Sequence, residues 1–323
     1  MHAAPAQTVL KVLDYALALL GAIVAAYICL PISKDGDAYA FFYEDASNYT
    51  SSEYLFWIWL DMGDRLRMSL STILLPLLFL TLLLKLKAFK QLGASTAYVY
   101  AAYLAVFYLL HEGTQLRISS ALAFSLWSCV YASRRQWFLA GLLACVAAGF
   151  HITSPLLPIV FTLCFYSRKI RKLSWWFLAL GVLVYAGRIS VIEIVTGQFA
   201  ALLGGRYTMY ADSLLDDQNT SGLVFVYASL LGALLTFLAL WGRNKLQLLP
   251  KAYSALLATS VYGCAVLFWL HETTAAASRM SDVLVITAVP LMATVIARVS
   301  LPFRLLSVLL LGGFFYLRLF QLF

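Results

Sequence analysis

The chain has 323 residues, 63% of them hydrophobic and only 12% charged, with a formal net charge of +8. That balance excludes a soluble globular domain and points to an all-α, polytopic integral membrane protein. The excess of Lys and Arg would point to nucleic acid in a soluble protein, but here it sits in short clusters between apolar runs, so it reads as a topology signal and no nucleic-acid partner is expected.

The first predicted span covers about 12–31; it lacks a small-residue cleavage site, so it reads as a span and not as a cleaved signal. A polar outer loop at about 33–53 follows, carrying Asp35, Asp37, Tyr39 and Glu53. The stretch 54–68 mixes aromatic residues with Asp61, Asp64, Arg65 and Arg67, too charged to span. It is expected to be an interfacial amphipathic helix with Trp57 and Trp59 at headgroup depth.

Further spans are predicted at about 69–84, 95–110, 114–132 and 137–152, then a short one from Pro155 to Arg168, and others at about 174–194, 222–242, 252–270, 283–297 and 305–321. Lys85, Lys87 and Lys90 are expected to follow the second span, and a second outer loop lies at about 196–221. The whole is about eleven transmembrane helices in a single domain, 1–323. All the cysteines fall in apolar runs and read as small buried hydrophobes.

Alternating sides along these spans collects most Lys and Arg on one face, which the positive-inside rule makes cytoplasmic, with the N-terminus inside. The acidic residues behave oppositely: all but Asp14 lie on or near the outer face, with His111, His151 and His271. Acidic residues contribute little to topology, so their collection there implies that the working surface faces away from the cytoplasm.

At that outer depth lie His111, Glu112, Gln115, Arg117, His151, Arg188, Glu193, Arg206, His271, Glu272, Arg279 and Asp282. Arg suits bidentate recognition of phosphate, His moves protons near neutral pH, and a carboxylate orients that His or acts as the base itself. Such a set suits a lipid-linked phosphate or diphosphate. Other roles stay open: an Arg near a span's end also snorkels to the interface, His151 also suits a packing histidine, and Asp35-Gly36-Asp37 also suits a solvated turn. The two His-Glu pairs lack the second His of a zinc-protease motif, and no metal or other cofactor is expected.

Gln115-Leu-Arg117-Ile-Ser-Ser-Ala-Leu-Ala123, the Arg134-Arg135 turn and Gly149-Phe-His151-Ile-Thr-Ser154 together resemble the EpsG/Wzy-like family of bacterial polysaccharide polymerases. Asp37-Ala-Tyr39 and Ser52-Glu53-Tyr54-Leu55-Phe56 resemble its first outer loop, although Tyr54 stands where Pro is usual. Ser278-Arg279-Met-Ser-Asp282 resembles its late Arg motif. The resemblance covers about 35–300 and implies a GT-C-like helical fold in the bacterial inner membrane. It also implies growth of capsule, exopolysaccharide or O-antigen chains at the outer leaflet, from undecaprenyl-diphosphate-linked donor and acceptor, beside a flippase and a chain-length regulator.

On that reading Arg117 and Arg279 hold the donor diphosphate, and His151 or a carboxylate such as Asp37 takes the acceptor proton. Tyr39 and Glu53 position sugar, and Gln115, His111, Glu112, Arg188, Arg206, His271, Glu272 and Asp282 line the substrate site. Two other readings are a GT-C glycosyltransferase with a polyprenyl-monophosphate donor, for which Asp35-Gly36-Asp37 would be the acidic motif, and a polysaccharide transporter or flippase. The gathering of charge at one face, away from the midplane, argues against the transporter.

Overall fold

The computed structural model describes residues 4–33, 35–44, 53–93, 96–189, 191, 221–243, 252–271 and 273–302, and a few positions between 304 and 313. Glu193, Arg206, Glu272 and most of the second outer loop, 196–221, lie outside the described residues. Among the described residues the secondary structure is helical, with no strand. The chain forms two compact units, Met1–Pro158 with Met292–Phe323, and Ile159–Leu291.

The first unit opens with α1 (Ala4–Val24), prolonged by a π-helical turn over Ala25–Cys29. Short helices α2 (Gly36–Glu44) and α3 (Tyr54–Arg65) precede the long α4 (Leu70–Gln91). Then come α5 (Thr96–Tyr103), a second π turn over Leu104–Tyr108, α6 (Leu116–Ser133) and α7 (Trp137–Phe150).

α1 packs on α4, α4 on α6, and α6 on α7. Small residues let the helices approach. Ala18, Ala22, Ala25 and Ala26 form the buried stripe of α1, and α6 buries Ser119, Ser120, Ser125 and Ser128. The serines also tie helix to helix: Ser125 donates to the Ser154 carbonyl at 3.0 Å and Ser128 to that of Ala140 at 2.7 Å. With no water in a bilayer to satisfy polar groups, such bonds hold the central helix in register.

Several sequence expectations are corrected. α4 does not stop at 84: Lys85, Lys87 and Lys90 all lie inside the helix because each has a partner. Lys90 bonds Asp14 on α1, Lys87 reaches the Tyr15 hydroxyl at 3.2 Å, and Lys85 is fully buried against Glu112. Trp57 turns into the protein and not outward: it is only 5% exposed and meets Phe42 and Phe56 edge to face. The exposed apolar stripe of α3 is instead Tyr54, Ile58, Met62 and Leu66, spaced four apart as an interfacial helix requires. Cys145, expected buried, is exposed on α7 near Leu142 and Phe138.

The second unit is built on α9 (Arg168–Ala186), α10 (Ser221–Arg243), α11 (Tyr253–Trp269) and α12 (Thr274–Val285); it begins within α8 (Leu156–Tyr166) and ends within α13 (Ala288–Ile296). Here α11 is the centre, packed by α9, α10 and α12. Trp269 stacks on Phe177 at 5.0 Å and donates to its carbonyl, against Gly181, where a Cβ would meet the indole at 2.8 Å.

Two described helices, Val12–Ile32 and Leu70–Gln91, are long and apolar enough to cross a membrane; the pair Ala277–Val285 and Ala288–Ile296, bent by 45°, would add a third. Other apolar helices, such as Trp137–Phe150 and Tyr253–Trp269, are shorter. Among the described residues, helix length and composition therefore mark out two or three of the roughly eleven predicted spans.

Candidate active site

The first outer loop and the start of α6 converge in the first unit. Glu53, immediately before α3, is 6% exposed and accepts a hydrogen bond from Arg117 Nη1 in the first turn of α6. Its other oxygen lies 3.5 Å from His151 Nε2 at the C-cap of α7. Thr153 Oγ1 sits 2.9 Å from His151 Nδ1, and the His151 carbonyl accepts from both the amide and the hydroxyl of Ser154. The imidazole thus has a hydrogen-bonding hydroxyl at Nδ1, a carboxylate 3.5 Å from Nε2 and a backbone held by Ser154.

Tyr39 completes the group. It is buried on α2, touches Phe56 of α3, and hydrogen-bonds Arg117. Burial pushes its phenol above the ordinary tyrosine range, against the opposing pull of the Arg117 guanidinium. It therefore stays protonated at neutral pH and can accept from Arg117 while donating elsewhere. The Arg117 side chain keeps 30% of its surface exposed while its guanidinium is held by Glu53 and Tyr39. The N-terminal end of α6 adds its positive dipole beside it.

What brings His151 to Glu53 is a close approach of α7 to α3. Gly149 has no side chain to hold them apart: a Cβ there would lie 2.7 Å from Leu55 Cγ, two residues beyond Glu53. Gly149→Ala is expected to part the two helices at an overpacking cost of about 1–3 kcal/mol, lowering product per membrane-inserted molecule more than it lowers the amount of protein. Wild-type product from Gly149→Leu would show that the approach is not needed.

The other expected residues distribute differently. Asp37 is exposed on α2, while Tyr39 on the same helix turns inward, so the carboxylate beside His151 is Glu53 and not Asp37. A Cβ on Gly36 would lie 2.2 Å from the Leu30 carbonyl, which makes Asp35-Gly36-Asp37 a sterically required turn. Gln115 is the N-cap residue of α6, half-buried, with its Oε1 enclosed.

His111 and Glu112 are not at an outer surface: both are fully buried, His111 stacked on Phe107 at 5.1 Å and Glu112 turned inward to Lys85.

In the second unit, Arg188 is exposed with φ of 49° at the end of α9. The Arg188 amide bonds the Tyr185 carbonyl and that of Ile189 bonds Val184, a helix-closing pattern that accounts for the position by backbone geometry. His271 meets the Tyr185 ring edge to face at 5.2 Å, Arg279 is exposed on α12, and Asp282 is 2% exposed one turn on.

Sequence reasoning missed Lys85, Tyr103 and Ser119 as partners of Glu112, since a Lys ending an apolar run reads as a topology mark.

No curated protein and no solved structure matches the chain. The model of the EpsG family matches residues 11–323, which include the Gln115–Arg117 helix start, the Phe150-His151 helix end and Glu53. The chain therefore belongs to the EpsG family, membrane proteins of the polysaccharide-polymerase type.

Proposed function

We propose that the protein is a Wzy-type polymerase that joins lipid-diphosphate-linked repeat units, undecaprenyl diphosphate being the carrier, at the outer face of the bacterial inner membrane. The product would be a capsular, exopolysaccharide or O-antigen chain. The observation that carries the reading is the assembly of Arg117, Glu53, His151 and Tyr39 in one partly open site. It offers a cation for a departing diphosphate and a base held by a carboxylate, the two groups a direct glycosyl transfer needs.

In the proposed step, the acceptor hydroxyl oxygen attacks the donor's anomeric carbon. As the new C–O bond forms, the bond to the diphosphate oxygen breaks and the hydroxyl proton passes to His151 Nδ1, the nitrogen turned away from Glu53, in place of its contact with Thr153. Arg117 offsets the charge on the leaving diphosphate, and Glu53 holds the imidazole and offsets the charge it gains. One such displacement inverts the anomeric centre. Arg279 is proposed as a second diphosphate ligand by resemblance, and a flippase and a chain-length regulator as partners.

The class is tested by deleting the gene in the source strain and resolving the lipid-linked glycans. Accumulation of single repeat units, with a ladder restored by the intact gene, is the expected result. A loss of one sugar from every unit would instead mark a single-sugar transferase.

A further inference from the structure

Lys85 and Glu112 are each fully buried, and their Nζ and Oε1 atoms are 2.5 Å apart. Lys85 also donates to the Tyr103 hydroxyl at 3.0 Å and to Ser119 Oγ at 2.7 Å. Glu112 accepts in addition from Tyr103 at 2.5 Å and from Ser119 at 3.0 Å. Lys85 sits about 22 Å along α4 from Leu70, by the helical rise, with no exposed surface and its ammonium over the Tyr103 ring. Ionisable groups so placed are costly, and a well-packed apolar pair is often as stable, so stability is a poor reason to keep them.

The network has a particular place in the chain. Glu112 precedes, and Ser119 follows, the segment that carries Gln115 and Arg117, and Lys85 holds both ends at once. Between them Gly113 lies so close to the Leu109 carbonyl that a Cβ would sit at 2.3 Å, and Thr114 donates to the Leu110 carbonyl at 2.7 Å. The Gln115 carbonyl accepts from the Ser119 amide at 2.8 Å. The turn is thereby pinned from beneath, and its outward residue is Arg117, facing Glu53.

We infer that the buried Lys85–Glu112–Ser119 network is a positioning device that fixes the Arg117 guanidinium against the leaving diphosphate, so that its residues act on the reaction through Arg117 without touching substrate. The inference rests on the polymerase reading given above. A guanidinium that must meet charge developing in the transition state is sensitive to small displacement, and misplacement by about 1 Å can cost roughly 100-fold.

The experiment uses membranes containing the full chain, supplied with lipid-linked repeat units extracted from the source strain lacking this gene. Ser119→Ala opens the α6 end of the network while leaving the Lys85–Glu112 pair intact. Lys85→Met with Glu112→Leu removes both charges together. Both variants are expected to accumulate in the membrane, with kcat per molecule reduced by roughly 10- to 100-fold and KM changed by less than about 3-fold.

A kcat that falls only in step with the loss of folded protein, or a wild-type kcat from Ser119→Ala, overturns the positioning role. A ladder from wild type and variants alike overturns this inference alone. No ladder from the wild type overturns the polymerase reading and the inference with it.

Discussion

Arg117→Ala is expected to remove almost all chain growth, with kcat lowered by roughly 10²- to 10³-fold, the usual consequence of losing one charge-stabilising donor. The loss arises because the guanidinium is the cation that meets Glu53, and through it His151, in the proposed site. The same substitution leaves the Glu53 carboxylate buried without its Arg partner, so the amount of protein in the membrane must be measured alongside the product. Arg117→Lys separates the two effects. It returns a positive charge to Glu53 but not the planar fork that fits a phosphate, and should retain protein while still losing about 10-fold in rate. Long chains of normal length from Arg117→Ala would remove the diphosphate role from this residue.

Glu53→Gln and His151→Ala are each expected to lower kcat by roughly 10²- to 10⁴-fold, the range for a general base and the group that orients it. Glu53→Gln keeps the size and an accepting oxygen but deletes the charge that would offset an imidazolium. If the two side chains work as a unit, the double variant should be no slower than the worse single one. Multiplying losses in single-turnover measurements would mean that Glu53 and His151 act separately, and would leave Glu53 with its Arg117 contact alone.

Much of this site was legible in the sequence. Arg117 at the start of one helix and His151 at the end of the next, across the Arg134-Arg135 turn, had to come to one depth if both helices run antiparallel, and they do belong to one site. Glu53 was visible as a loop acid with a sugar-positioning role implied by resemblance, but its closeness to Arg117 and His151 was not. Nothing in a linear pattern says that Gly149 yields to Leu55 and so closes α7 on α3.

Asp37 was named beside His151 as a candidate base, and the sequence does not say which loop carboxylate lies next to that imidazole. The choice depends on the face of α2 that packs, and Tyr39 takes it.

The least legible feature was the inward turn of Glu112. Side chains of a helix lean toward its N-terminus, so Lys85, placed near the far end of α4, reaches back along the helix to meet an acid that the hydropathy pattern sets at the opposite face. Hydropathy places backbones by depth and says little about how far a long ionisable side chain travels from its own backbone.

The Glu53–Arg117 pair also bears on which anions the proposed site would select. A bare guanidinium beside a helix N-terminus would attract every small anion in its surroundings, whereas here the charge is already met by a carboxylate tethered to the same fold. Inorganic phosphate or chloride must compete with that tethered carboxylate and gains little by doing so. A lipid-borne diphosphate brings more charge, and its polyprenyl tail and sugars contribute binding of their own. On the polymerase reading proposed above, the ion pair would therefore work as a threshold that a small free anion does not cross and a membrane-anchored diphosphate does.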